Sequence, residues 1–288
     1  MRKSLRLVSM ISASAALALG GVATVNEVAN ISITEVASAA TTSITLPKSS
    51  GYTKANILKA NNGKLSSKAK KALVRGSMIG MKTNNFSDND SSDDRVVTVT
   101  NLSESDKDEI SKYALSVINS ARAQMGKRPW TYSKSALKFA DQVAINYNKD
   151  GASCWDSDHD VAGIKRAAKA CGLNYTAGQV YEDEAGLPIT SEWSSNKRSM
   201  KVLKEQIYFN IKQMLFGGFS GNDYNDASRY FEWEHAGDLL GLRSYRKGFD
   251  APTKYFAVSF SSLDNRRISV HMIGVAPRYI LNYKKFNH

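Results

Sequence analysis

The sequence predicts an α+β domain in which helices cover an antiparallel sheet that ends in a C-terminal hairpin. Two patterns and one length carry this expectation. Between residues 102 and 216, apolar residues recur at three- and four-residue intervals, the period of one-faced helices. Later the period falls to two: Phe256, Val258 and Phe260 alternate, as do Ile268, Val270 and Met272, with the turn-prone LDNRR between them. Helices followed by antiparallel strands make a layered sandwich. The roughly 185 residues from Leu102 onward are enough to bury one substantial core.

Residues 1–39 read as a secretory signal peptide. Arg2, Lys3 and Arg6 precede the apolar run of residues 7–22, and VASAA offers a small-residue cleavage pattern at Ala37, Ser38 and Ala39. Serines and glycines dilute the run, which is short of the roughly 20 strongly apolar residues that span a bilayer. No membrane span is therefore expected after cleavage. Residues 40–101 are expected as an N-terminal extension and polar linker: ITLPKSSGYTKANILKA starts strand-like and turns, SSKAKKALVRGSMIGMK suits one short helix, and NNFSDNDSSDD reads as an exposed connector.

Residues 102–288 are expected to form the compact domain. Its first helix opens at LSESDKDEI, with Ser103 as cap and acids in the first turn. Ile110, Ala114, Val117, Ile118 and Ala121 then form one stripe, which ends near Met125 and Gly126. After a turn at Ser133, a second helix presents Ala136, Phe139, Ala140, Val143, Ala144 and Tyr147. A third follows His159 over residues 160–170, and a fourth over residues 200–216 presents Leu203, Ile207, Ile211, Met214 and Leu215. The fifth is EWEHAGDLLGL, residues 232–242. Such stripes are assigned to packing, and GGFSGND to a surface loop.

The formal net charge is +12. A leader with three basic and two acidic side chains takes one unit of it away. For an exported chain, that excess points to anionic cell-wall polymers or a surface protein. Neither an arginine-rich stripe nor an aromatic-basic repeat supports nucleic-acid binding. No lipid-modifiable cysteine follows the leader, and YILNYKKFNH shows neither an apolar tail nor a sorting motif. The expected product is secreted, either released or retained at the wall without a covalent bond. Cys154 and Cys171, the two cysteines of the chain, are expected to pair as a disulfide, with two free thiols as the alternative.

His159, His235 and His271 are the candidates for a site; His288 is terminal. Imidazole with carboxylate suits zinc or another first-row divalent ion, and equally suits proton transfer near neutral pH. His271 sits between Val270 and Met272 in an alternating strand and faces away from both. It is either a half-exposed or hydrogen-bonded strand histidine, or a lining residue of the same cleft. No nucleophile elbow and no phosphate loop occur.

Several words in order, ITLPKSSGYT, YALSVINSARAQMG, KFADQVAINYN, HDV at residues 159–161, QVYED at 179–183 and WEHAGDLLGL at 233–242, resemble the surface-exclusion domain family of Gram-positive bacteria. That family is similar in outline to the superfamily of cysteine-rich secretory proteins, antigen 5 and pathogenesis-related proteins, abbreviated CAP. The resemblance implies a three-layer α/β/α sandwich with a cleft where two histidines and two acids converge and take a divalent metal. His159 and His235 match the histidines, and Glu182 the first acid. Glu205 stands for the second, with Glu192 nearby. It further implies a binding module at the cell surface, active in surface exclusion during conjugation, in aggregation or in adhesion. The alternative is a metal-assisted extracellular hydrolase acting on peptide or cell-wall material, with His159, Glu182 and His235 as its working residues.

Overall fold

The computed structural model describes residues 39–156, 158–187, 196–221 and 223–287. The expected leader up to residue 38, Glu192 and His288 lie outside the described residues. No helix among the described residues is long and apolar enough to cross a membrane.

The alternating segments form the expected hairpin. Strands β5 (Tyr255–Ser262) and β6 (Ile268–Val275) pair antiparallel, with Val258 opposite Met272 and Ser259 opposite His271. Strand β3 (Glu182–Gly186) adds antiparallel to β6, and the short β2 (Thr131–Tyr132) adds parallel to β5, giving the order β2-β5-β6-β3. A separate two-stranded ribbon joins β1 (Val96–Thr98) to β4 (Lys197–Ser199).

Helices cover both faces of the main sheet. On one, α3 (Glu104–Gln124) and α6 (Met200–Phe216) share a core with Phe256, Val258, Phe260, Ile268, Val270 and Met272. On the other, α4 (Lys134–Asp150) and α5 (Val161–Ala170) enclose Ile273 and Val275. Each of these four helices opens on a side-chain cap reaching the third residue on: Ser103, Ser133, Asp160 and Ser199 accept from the backbone N–H of Asp106, Ala136, Gly163 and Val202. Each cap satisfies one donor that the first turn leaves without a helical partner.

The boundary at residue 102 is not a domain boundary. One compact unit spans Ala37–His288, and the region expected as an extension supplies α1 (Lys54–Asn61) and α2 (Ser67–Thr83) to the main core. Ile44, Leu46, Tyr52, Ile57, Leu73 and Met81 are buried there. The backbone N–H groups of Ile44 and Leu46 bond Ser120 Oγ and Gln124 Oε1 on α3, each at 2.9 Å. At Gly80 an added Cβ would lie 2.3 Å from the Phe216 ring, so glycine permits the close approach of α2 to α6. The polar stretch after α2 is likewise not simply exposed. Asn84, Asp88 and Asp93 are buried, and Asp93 holds Lys204 Nζ at 2.5 Å. Asn85, Ser87, Asn89, Ser91, Ser92 and Asp94 are exposed, as a polar connector requires, and only Asn84, Asp88 and Asp93 turn inward.

Cys154 and Cys171 are free thiols, against the expected disulfide. Cys154 donates its backbone N–H to Ser269 Oγ near the start of β6, whereas Cys171 packs with Phe139, Leu173 and Val275, the last residue of β6. The ten residues of α5 lie between them, a rod about 15 Å long.

Candidate functional site

The polar side of the hairpin begins with a parity rule. Successive side chains in a strand point to opposite faces, so EDEAG places Glu182 and Glu184 on one face and Asp183 on the other. The register sets Glu184 opposite His271, itself opposite Ser259, and sets Glu182 opposite Ile273. The face covered by α4 therefore carries a row of buried polar groups, where the hairpin residues facing α3 and α6 are apolar and β3 adds Asp183 beside them.

Glu182 is the centre of this row. Its Oε1 accepts from His271 Nδ1 at 2.6 Å, and its Oε2 lies 2.8 Å from His159 Nδ1. The Tyr147 hydroxyl on α4 stands 2.8 Å from Glu182 Oε2 and 3.1 Å from Glu184 Oε2, and accepts the Asp160 backbone N–H at 2.9 Å. That last bond ties the start of α5, and with it His159, to the carboxylates. His271 Nε2 meets Ser261 Oγ at 2.8 Å, and its ring packs against Tyr147 with centroids 4.4 Å apart. Fully buried, His271 is not half-exposed. It supports Glu182 from behind.

Burial alone pushes the Glu182 carboxyl up, but bonds from His159 and His271 outweigh it and hold the group below the usual carboxylate range. Glu184 goes the other way. Its burial, with the charge of Glu182 beside it, pushes it up to about 7. For His159, burial opposes protonation, yet the hydrogen bond and charge of Glu182 raise it overall.

A cleft of ≈ 330 Å³ opens at this edge of the sheet, and His159, Gln179, Glu182, Asp183, His235 and Asp238 are among its lining residues. His235 enters from α7 (Glu234–Leu240). Its Nδ1 lies 2.8 Å from Glu232 Oε1, while Glu232 Oε2 accepts the Glu234 backbone N–H at 2.6 Å. One carboxylate thus holds both the histidine and the first turn of its helix. Burial opposes the charge on His235, but the Glu232 bond and the nearby Asp183 carry it up to about 9. Across the cleft wall, Lys254 Nζ pairs with Asp238 at 2.5 Å.

This arrangement of helices on both faces of a short, mainly antiparallel sheet has a solved counterpart, the CAP domain of Enterococcal PrgA. The two superpose with a TM-score of 0.56 at 22% identity, over 77% of this chain and 83% of that one. The fold is a CAP fold. No family model and no curated protein matches the chain.

The cleft residues of this chain are not grouped as the resemblance implies. His159, Glu182 and His235 all line the cleft. Glu205 does not: half-buried on α6, it stands near Tyr113. The acid that holds His235 is Glu232, three residues before it. Among the described residues, the ligand atoms that come within 4.8 Å of one another belong to His159, Glu182 and Glu184. A metal held by both histidines with Glu182 and Glu205 therefore does not fit this chain.

Sequence reasoning missed Glu184, Glu232 and the polar role of Tyr147. The signal for Glu184 was available, since acids two apart in a strand share a face. Tyr147 was assigned to packing because it lies on the apolar stripe of α4. Its ring does pack there, and only its hydroxyl reaches the carboxylates.

Proposed function

We propose that this chain is a surface-associated CAP module, exported and held at the cell envelope by anionic wall polymers, with its cleft as the ligand site. The observation that carries this reading is a segregation of charge. Residues 41–83 contain nine lysines and arginines and no acid. On α2, Lys68, Lys71, Arg75 and Lys82 follow at intervals of three, four and seven, so they share one helical face, and all four are exposed. The opposite face buries Leu73, Ser77, Gly80 and Met81. Among the described residues, none of these four bases forms an ion pair with a carboxylate. A line of unpaired cations along a helix attracts a polyanion and releases it as salt screens the charges.

The cleft differs in character, with acids and histidines beside Lys254 and Arg278, and so suits a small polar ligand rather than a polyanion. The sequence resemblance supplies the cellular role: surface exclusion during conjugation, with aggregation or adhesion as related outcomes.

Binding of the purified protein to isolated cell walls tests the attachment. Binding is expected to fall at least about tenfold between about 0.05 and 0.5 M salt, as the screening length shortens, and to fall similarly in a Lys68→Glu, Lys71→Glu, Arg75→Glu variant at low salt. Lys165→Glu, on the exposed side of α5, serves as the control and retains binding. Salt-insensitive binding, or binding unchanged by the triple variant, contradicts the proposal. For the cellular role, expression in recipient cells is expected to lower plasmid uptake, and unchanged uptake counts against it.

A further inference from the structure

We infer that Asp88 is the docking site of the processed N-terminus: once the leader is cut after Ala39, the new α-ammonium of Ala40 pairs with the buried Asp88 carboxylate. The site is remote from the wall-attachment face and from the cleft. It rests on one part of the functional reading, export with removal of the leader at VASAA.

The segment that follows the expected cut is held by its backbone across α2, α3 and α6. Thr41 donates its N–H to Ser87 O at 2.9 Å. Thr45 gives its N–H to the side-chain amide of Asn84, the residue that ends α2, and accepts from the same amide, at 2.7 and 3.0 Å. On α3, the Gln124 amide takes the Leu46 N–H and donates to Ile44 O, at 2.9 and 2.6 Å. The hydroxyls of Tyr113 and Tyr208 donate to the Thr41 and Ser43 carbonyls at 3.0 and 3.1 Å, and the Ile44 and Leu46 side chains are buried in the main core. The chain is therefore fixed in register up to its first processed residue.

That register leads to Asp88. Thr41 bonds Ser87 and Thr45 bonds Asn84, so the two segments run antiparallel. Continued by one residue, the pairing sets Ala40 beside Asp88. Both are buried, at 9% and 3% exposure. Asp88 Oδ1 accepts the Asp90 N–H at 2.9 Å, but among the described residues its Oδ2 is buried with no hydrogen-bond partner. A buried carboxylate left without a counter-charge is costly. Processing makes that counter-charge. Hydrolysis of the Ala39–Ala40 bond sends a new carboxylate away with the leader and leaves Ala40 an amine that carries a proton near neutral pH. Before the cut the same nitrogen is a neutral amide with one N–H. The N-terminal clip thus tightens only when the leader is gone, and the fold is completed after export.

The test compares two chains, one beginning at Ala40 and one carrying a single extra glycine before it, which moves the ammonium by about 3.8 Å. Asp88→Asn keeps the shape of the side chain and removes its charge. In the chain beginning at Ala40 it is expected to lower the melting temperature by at least about 5 °C, the scale of breaking a buried pair in a domain of this size. In the extended chain it is expected to change it by less than about 2 °C or to raise it, since no ammonium is lost there. A second readout needs no change at Asp88 and covers a variant that fails to fold. The Ala40 amine of the wild-type chain is expected to be acylated at least about tenfold more slowly at neutral pH than the amine of the extended chain, as burial in an ion pair requires, read by peptide mass mapping. Equal effects of Asp88→Asn in the two chains, or equal acylation rates, overturn the pairing. N-terminal sequencing of the secreted protein tests the export step by itself: Ala40 is expected first, and any other first residue overturns the proposal at that step.

Discussion

The two faces of the β5–β6 hairpin come from the same residues read alternately, yet they do different work. Phe256, Val258, Phe260, Ile268, Val270 and Met272 meet α3 and α6 across an apolar core. Ser259, Ser261, Ser269 and His271 meet α4 and the acids of β3. Both sets are buried. Burial therefore separates core from surface but not core from site. What distinguishes the second face is that its groups are stabilised by specific partners rather than by area removed from water.

The largest effect should come from the apolar face. Phe256→Ala, at a fully buried position packed against Trp130, is expected to cost about 3–5 kcal/mol through lost transfer energy and the cavity left behind, read as a lower urea midpoint. On the polar face, Glu182→Ala strips His271 of its buried acceptor and is expected to cost about 3 kcal/mol, the upper end for a hydrogen bond to a charged group. A loss below about 1 kcal/mol would erase the contrast, because the polar row would then be mere filling.

Ser259→Ala sharpens the comparison at smaller scale. Its hydroxyl donates to Asp141 Oδ1 at 2.6 Å, and its removal is expected to cost about 1.5 kcal/mol, as for other bonds to charged groups. A separate effect concerns pH at the other pole of the cleft. His235 is raised by its partners to about 9, so its charged form stabilises the fold fully below about 6.5, its ordinary value, and that contribution disappears as pH rises through about 9. Glu232→Gln should flatten the change in melting temperature between pH 6 and pH 9.5, whereas an unchanged slope would assign the pH response elsewhere.

The apolar face was legible because period and composition agree there: alternation of large residues announces a strand, and its mates follow at the same period. The helices from residue 104 onward were legible for the same reason. The N-terminal region was misread because its buried residues are sparse. Ile44, Leu46 and Tyr52 dock singly on a core built by later segments, and no local pattern reveals that. The site was legible only in part. His159, Glu182 and His235 stood out as residue types, but which acid serves which histidine depends on strand register and on where α4 crosses the sheet. Glu205 was proposed from its place along the chain, and α6 carries it away from the cleft. Cys154 and Cys171 are near in sequence and kept apart by the stiffness of α5.

The central claim is that Glu182 is clamped from behind by His271 within the polar face of the sheet. Long-range proton–nitrogen NMR correlation of the histidine rings tests it most directly, with assignment aided by His159→Ala and His235→Ala. A carboxylate oxygen only accepts, so His271 Nδ1 must carry the proton. The account predicts a His271 Nδ1–H signal shifted far downfield, slow to exchange with solvent, and displaced in Glu182→Gln. A His271 ring protonated on Nε2 alone, or an Nδ1–H that exchanges rapidly and ignores Glu182→Gln, would contradict it.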